Sequence, residues 1–195
     1  MSRLAAKIDP AHAQLHLKVS LLYIRPTIWR RLLVPASIKL PKFHTVLQLG
    51  FGWTDSHLHA FRLGHVSYEP RYEDNWDDSS LPRHDESKFR LADLLHAKGD
   101  RLIYEYDFGD SWQHDVRVEK VLPVTHVLPA ACTAGARAGP PEDCGSIPGY
   151  YNLLEALADP KHSEHHEILD WLGDPYDPDA FDVAATNSTL QRVKV

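Results

Sequence analysis

Strict alternation of apolar and polar residues marks the first patterned stretch of the chain. In QLHLKVSLLYI (14–24), Leu15, Leu17, Val19, Leu21 and Tyr23 fall on one face, which predicts a strand with one buried side. Arg25-Pro26-Thr27 breaks the pattern, and IWRRLLV (28–34) reads as a second strand that would complete a hairpin. Arg30 and Arg31 then point to opposite faces, so one of the two needs a partner. Pro41 opens a helix as its first-turn residue. Phe43, Val46, Leu47 and Phe51 keep helical spacing, and Gly50 or Gly52 supplies the stop. HLHAFRL (57–63) predicts a third strand.

Residues 67–88 are polar, acidic and broken by Pro70 and Pro82, and read as a long excursion loop suited to a lid or binding role. A short helix is expected within 89–96. Residues 102–108 and 112–121 form a hairpin across the turn DFGDS, with Trp112, His114, Val116 and Val118 on one face. Residues 123–148, rich in Pro, Gly and Ala, read as an ordered connection. Tyr150, Leu153, Leu154 and Leu157 then make a helical stripe. Asp159-Pro160 and Asp177-Pro178 are start signals for two further helices, the last around Phe181 to Leu190. Strands occupy the first two thirds and helices the last third, with no strand–helix–strand alternation. The expectation is a single α+β domain over 1–195, with a mainly antiparallel sheet packed with helices.

Composition is ordinary for a globular chain: 195 residues, 43% hydrophobic and 25% charged. No run approaches the ~18 apolar residues of a membrane span, and MSRLAAKIDPAHAQ lacks the apolar core of a secretory signal. Two cysteines, Cys132 and Cys144, make no disulfide framework, so the expected compartment is the reducing cytoplasm. The net charge of −6 is uneven. Residues 1–60 hold eight Lys/Arg against two Asp/Glu, and residues 139–182 hold eleven acidic residues against Lys161 alone. An acidic total disfavours non-specific nucleic-acid binding, whereas the basic N-terminal third keeps a local anion or nucleic-acid patch open.

The segments IRPTIWRRLLVP, KFHTVLQLGFGWTDSHLHAFRLG, YEYDFGDSWQHDVRVEK, AGPPEDCGSIPGYYNLLEAL and HEILDWLGDPYDPDAFD, in this order, resemble the plasmid pRiA4b ORF-3-like family. Its members include passenger proteins of an insertion element. The likeness spans roughly 13–192 and implies fold and boundaries rather than a reaction, because the passenger label describes gene neighbourhood. One departure stands out: the family's usual ACPPEDCGG is here AGPPEDCGS, so Gly139 stands where a cysteine is common.

Four constellations could carry chemistry. His57, His59 and His114, with Asp55, Asp107 and Asp110, form the first. On a strand, His57 and His59 would project together, and with a carboxylate they could bind zinc or a similar divalent metal, or do acid–base work. The structural alternative is that these histidines pack in the sheet and that DFGDS is merely a good turn. Cys132 and Cys144, at a spacing untypical of structural zinc, are the second; the alternative is a small buried hydrophobe and a loop thiol. His162, His165 and His166 are the third, better suited to a solvated helix face. Arg25, Arg30 and Arg31 beside Trp29 are the fourth, a nucleic-acid or anion set that equally suits docking of the acidic C-terminal third.

No Walker A, GxGxxG or GxSxG pattern is present. The leading expectation is therefore a noncatalytic accessory or interaction domain. Its partner, a protein or small ligand, would meet a surface bearing the 67–88 loop, Trp53, Trp76 and Trp112. The alternatives are a metal-dependent hydrolase-like enzyme using the His/Asp cluster, and a nucleic-acid-binding partner of a mobile element. Nothing in the chain requires a homodimer or forbids one.

Overall fold

The structure, a computed structural model, describes residues 9–71 and 82–193. Eight strands form one sheet: β1 (Ala13–Leu21), β2 (Trp29–Pro35), β3 (His59–Leu63), β4 (Val66–Glu69), β5 (Arg83–Asp85), β6 (Arg101–Tyr106), β7 (Trp112–Pro123) and β8 (Ala131–Ala136). Their order is β5-β4-β3-β6-β7-β1-β2-β8. Every neighbouring pair is antiparallel except β4 and β5, so the sheet is mixed. The helices are α1 (Leu40–Phe51), α2 (Leu91–Leu94), α3 (Ser146–Ala158), α4 (His165–Leu172) and α5 (Val183–Leu190). Two of the five precede the last third, so helices are not confined to it. Among the described residues no helix is long and apolar enough to cross a membrane.

Alternation governs which side of the sheet is buried. Leu15, Leu17, Val19 and Leu21 of β1 are sealed in the core, while His16, Lys18 and Ser20 lie on the other face. Tyr23 departs from the expected face: it enters a turn at φ 63° and is exposed. The core is closed by Phe43, Val46, Leu47 and Phe51 of α1. Pro41 lies in the first turn of that helix, and Gly52 ends it in the left-handed region at φ 85°, returning its N–H to Gln48 O.

Arg30 and Arg31 do point to opposite faces. Arg31 pairs in two hydrogen bonds with Glu119 across the sheet. Arg30 is buried and has three carbonyls instead of a carboxylate: Gly50 O, Trp29 O and Ala136 O. The rings of Phe51 and Phe181 lie 4.9 and 4.0 Å from its guanidinium carbon. Burial pushes its pKa down to about 10.

Three sequence expectations need correction. Residues 123–148 hold an edge strand, β8, paired to β2 and clamped by Asn187, whose amide both accepts from Cys132 N and donates to Cys132 O. The 67–88 stretch contributes most of β4 and all of β5, while 72–81, with Trp76, lies outside the described residues. The last two helices start at Glu164 and Asp182, not at Asp159 and Asp177. Asp182 caps α5 by accepting from Ala184 N and Ala185 N.

Candidate functional site

The floor of the site is the core face of β3, β6 and β7. Register sets His59 opposite Tyr106, Phe61 opposite Tyr104, and Tyr104 opposite His114. Helix α1 lies above, and His44 and Gln48, one turn apart, reach down to Tyr104. A polar pair on the buried stripe of an otherwise apolar helix must be hydrogen-bonded, and it is. His44 Nδ1 stands 2.8 Å from Tyr104 Oη, and Gln48 Nε2 donates to the same hydroxyl at 3.0 Å. Gln48 Oε1 accepts from Asp55 N at 2.9 Å, which holds Asp55 at φ 60°. The Asp55 carboxylate then meets His44 Nε2 at 2.7 Å.

His59, the first residue of β3, stacks on His44 with ring centroids 3.5 Å apart and planes within 6°. Its Nε2 lies 3.0 Å from Glu86 Oε2, and both residues are buried. One donor atom each from His44, Asp55 and His59 fall within 4.8 Å of one another, with the Glu86 carboxylate on His59 Nε2. These residues line a cleft of about 680 Å³, rimmed by Lys42, Thr45, His57 and Pro70. Burial, reinforced by the neighbouring His59, pushes the His44 pKa down. The imidazole is therefore neutral at pH 7. With Gln48 donating to Tyr104 Oη, the network assigns the His44 proton to Nε2, facing Asp55, and the Tyr104 proton to Nδ1.

A second group lies at the other side of His57. His57 precedes β3, so it does not share a strand face with His59. Its Nε2 is 3.0 Å from Asp143 Oδ1, 3.8 Å from Asp107 Oδ2 and 3.9 Å from Glu142 Oε2, without hydrogen-bond geometry to any of them. The Tyr106 ring lies edge-on to His57, 5.8 Å between centroids, and Tyr106 Oη donates to Glu142. Burial, then that hydrogen bond, raises the Tyr106 pKa. Asp107 also braces its own turn by accepting from Gly109 N and Asp110 N.

The candidates read from sequence are thus divided. His57 with Asp107, and His59 separately, are placed in donor groups. His114 is not: it is fully buried among Phe51, Trp53 and Tyr104, with Nδ1 3.3 Å from Tyr104 O. Asp110 receives Gly145 N and, on its carbonyl, Ser146 Oγ, so it anchors the start of α3. Among the described residues neither Cys132 nor Cys144 joins a donor group, and both are free thiols. Burial, with Asp110, Asp143 and Glu142 nearby, pushes the Cys144 thiol up to about 12. Arg25 hydrogen-bonds at its own turn and to Tyr151, apart from buried Arg30 and sheet-face Arg31. Trp53 and Trp112 are buried and offer no surface to a partner.

Sequence reasoning passed over His44, Glu86 and Tyr104, and it set Asp55 beside His57 rather than His44. The available signal was His44 and Gln48 among Leu40, Phe43, Leu47 and Phe51: two polar residues on the apolar stripe of one helix. At position 139 a Cβ would sit 2.1 Å from Phe51 O. The backbone there is closed against the end of α1, which leaves no room for a side chain such as cysteine.

An uncharacterized protein, y4hQ, of Sinorhizobium fredii (strain NBRC 101917 / NGR234) is 36% identical over 176 residues, covering 89% of each chain. A crystal structure of a protein of unknown function, MM3350 from Methanosarcina mazei Go1, superposes with a TM-score of 0.78 at 37% identity. It covers 89% of this chain and 97% of that one. The family model for plasmid pRiA4b ORF-3-like proteins matches residues 13–185, and the chain belongs to that family.

Proposed function

We propose that the cleft binds a divalent transition-metal ion through His44, His59, Asp55 and Glu86, and that the protein is a metal-dependent hydrolase-like enzyme. The observation that carries this reading is the convergence of donor atoms from His44, Asp55 and His59 within 4.8 Å of one another, with the Glu86 carboxylate on His59; the stacked rings would turn apart to bring both lone pairs onto one ion. Two imidazoles buried this closely cannot both be protonated without strong repulsion, whereas neutral imidazoles carry the lone pair that a metal requires. Two histidines and two carboxylates suit zinc, manganese or iron(II), and the two carboxylates balance the dication.

Tyr104 completes the argument from the second nitrogen. A ligating histidine needs its other ring nitrogen held, and Tyr104 Oη, 2.8 Å from His44 Nδ1, would accept a hydrogen bond from Nδ1–H once Nε2 turns to the ion. The rest of the cleft supplies room for water and substrate. A bound ion would lower the pKa of its water, and Lys42 on the rim can receive an anionic group. Two free thiols fit the reducing cytoplasm as the setting.

Calorimetric titration of untagged, chelator-treated protein with zinc, manganese and cobalt(II) tests the reading. Near-stoichiometric binding is expected, weakened at least tenfold by His59→Ala and by Glu86→Gln. No binding of any of the three ions, or binding untouched by both substitutions, would refute it.

A further inference from the structure

The sheet face opposite the cleft carries a row of cations. Register sets Arg31 opposite Lys18, Lys18 opposite Arg117, and Arg117 opposite Arg101. Directly opposed residues on adjacent strands point the same way, so four cations line up across β2, β1, β7 and β6. With strands about 4.8 Å apart, the row is about 14 Å long. Like charges directly opposite one another destabilise a sheet.

Ion pairs are formed at the ends of the row. Arg31 pairs with Glu119, and Arg101 Nε lies 3.0 Å from Asp115. Among the described residues the two central cations, Lys18 and Arg117, make no ion pair. Lys98 and Lys120 flank the row, and with His16 they line a depression of about 820 Å³. Trp29 stands beside it, with Lys18 Nζ 5.4 Å and the Arg31 guanidinium carbon 5.2 Å from its ring. This strip belongs to a protein of net charge −6, so it is not a reflection of overall composition.

We infer that this face binds single-stranded nucleic acid through its phosphate backbone. The complementary charge must be extended and linear, because the cations lie on a line across four strands. A membrane presents a plane, and among the described residues no helix lines this depression to enter a duplex groove. An open sheet with a tryptophan at the side of a cationic track suits an unpaired strand, whose phosphates follow the cations and whose bases can stack. The inference is independent of the metal reading, since it uses the opposite face.

The test is fluorescence anisotropy of labelled 20-mer oligothymidylate and oligouridylate with the untagged full chain. Four phosphate contacts on a single strand give a log–log salt slope of about −2.8, a loss of about 50-fold between 50 and 200 mM salt. The double variant Lys18→Gln/Arg117→Gln is expected to bind more weakly and to halve the slope. Because it removes like-charge contacts, its melting temperature should equal or exceed the parent's, which separates binding from folding. Lys161→Gln, in the acidic third, should bind like the parent. Three results would overturn the inference: no anisotropy change at 50 mM salt, binding unaffected by the double variant, or capture of polyglutamate or phosphatidylserine vesicles that oligonucleotides do not compete away.

Discussion

His114 gives the sharpest statement about stability. Its ring is fully buried between aromatic side chains, its Nδ1 has one backbone carbonyl at 3.3 Å, and its Nε2 has no partner. Desolvation disfavours the charged form, and the pKa falls from an ordinary value of about 6.5 to about 3. The unfolded chain therefore binds a proton that the folded chain refuses at any pH between these values. Stability is unaffected above pH 6.5 and falls as the pH drops below it, by about 1.4 kcal/mol per unit. At pH 5 the loss from this residue is about 2 kcal/mol. Urea unfolding at pH 7.5 and pH 5 should show the loss in the parent. His114→Leu, which replaces the ring by an apolar side chain, should lose about 2 kcal/mol less over the same interval. His44 acts in the same direction in both proteins and cancels in the comparison. Equal losses would mean that His114 is solvated or charged in the fold, and the burial argument would fail.

Two further substitutions probe the frame around the site. Arg30→Met strands the carbonyls of Gly50, Trp29 and Ala136 and removes the cation over Phe51 and Phe181. It should cost about 3 kcal/mol in urea unfolding, and a cost below about 1 kcal/mol would contradict the role given to Arg30. Gly139→Ala forces a methyl against Phe51 O and should lower the melting temperature by several degrees; a neutral result would show that this connection relaxes freely.

The regular elements were legible where one physical rule dominated. Period-two alternation located β1, Pro41 and glycine bracketed α1, and the Tyr150–Leu153 spacing located α3. What escaped was held by partners distant in sequence. β8 is ACTAGA, without the bulk of an ordinary strand, and it exists because β2 pairs with it and Asn187 clamps it. β4 and β5 have four and three residues, too few for a period to register. The site was half legible. Asp55, His57, His59 and Asp107 attracted notice, but placing His57 and His59 on one strand merged two distinct donor groups. His114 shared a face with Trp112 and Val116, as expected, and that face proved to be core. Asp55 was noticed beside His57, but its partner is His44 from another element; Glu86 gave no local signal, because its meaning lies in the histidine that the fold carries to it.

The metal centre is the central claim, and crystals grown with zinc test it most directly through anomalous difference density at the zinc edge. The account predicts one strong peak about 2.1 Å from the Nε2 atoms of His44 and His59, with Asp55 or Glu86 completing the sphere. A cleft without a peak, with the two imidazoles still stacked and still hydrogen-bonded to their carboxylates, would contradict it.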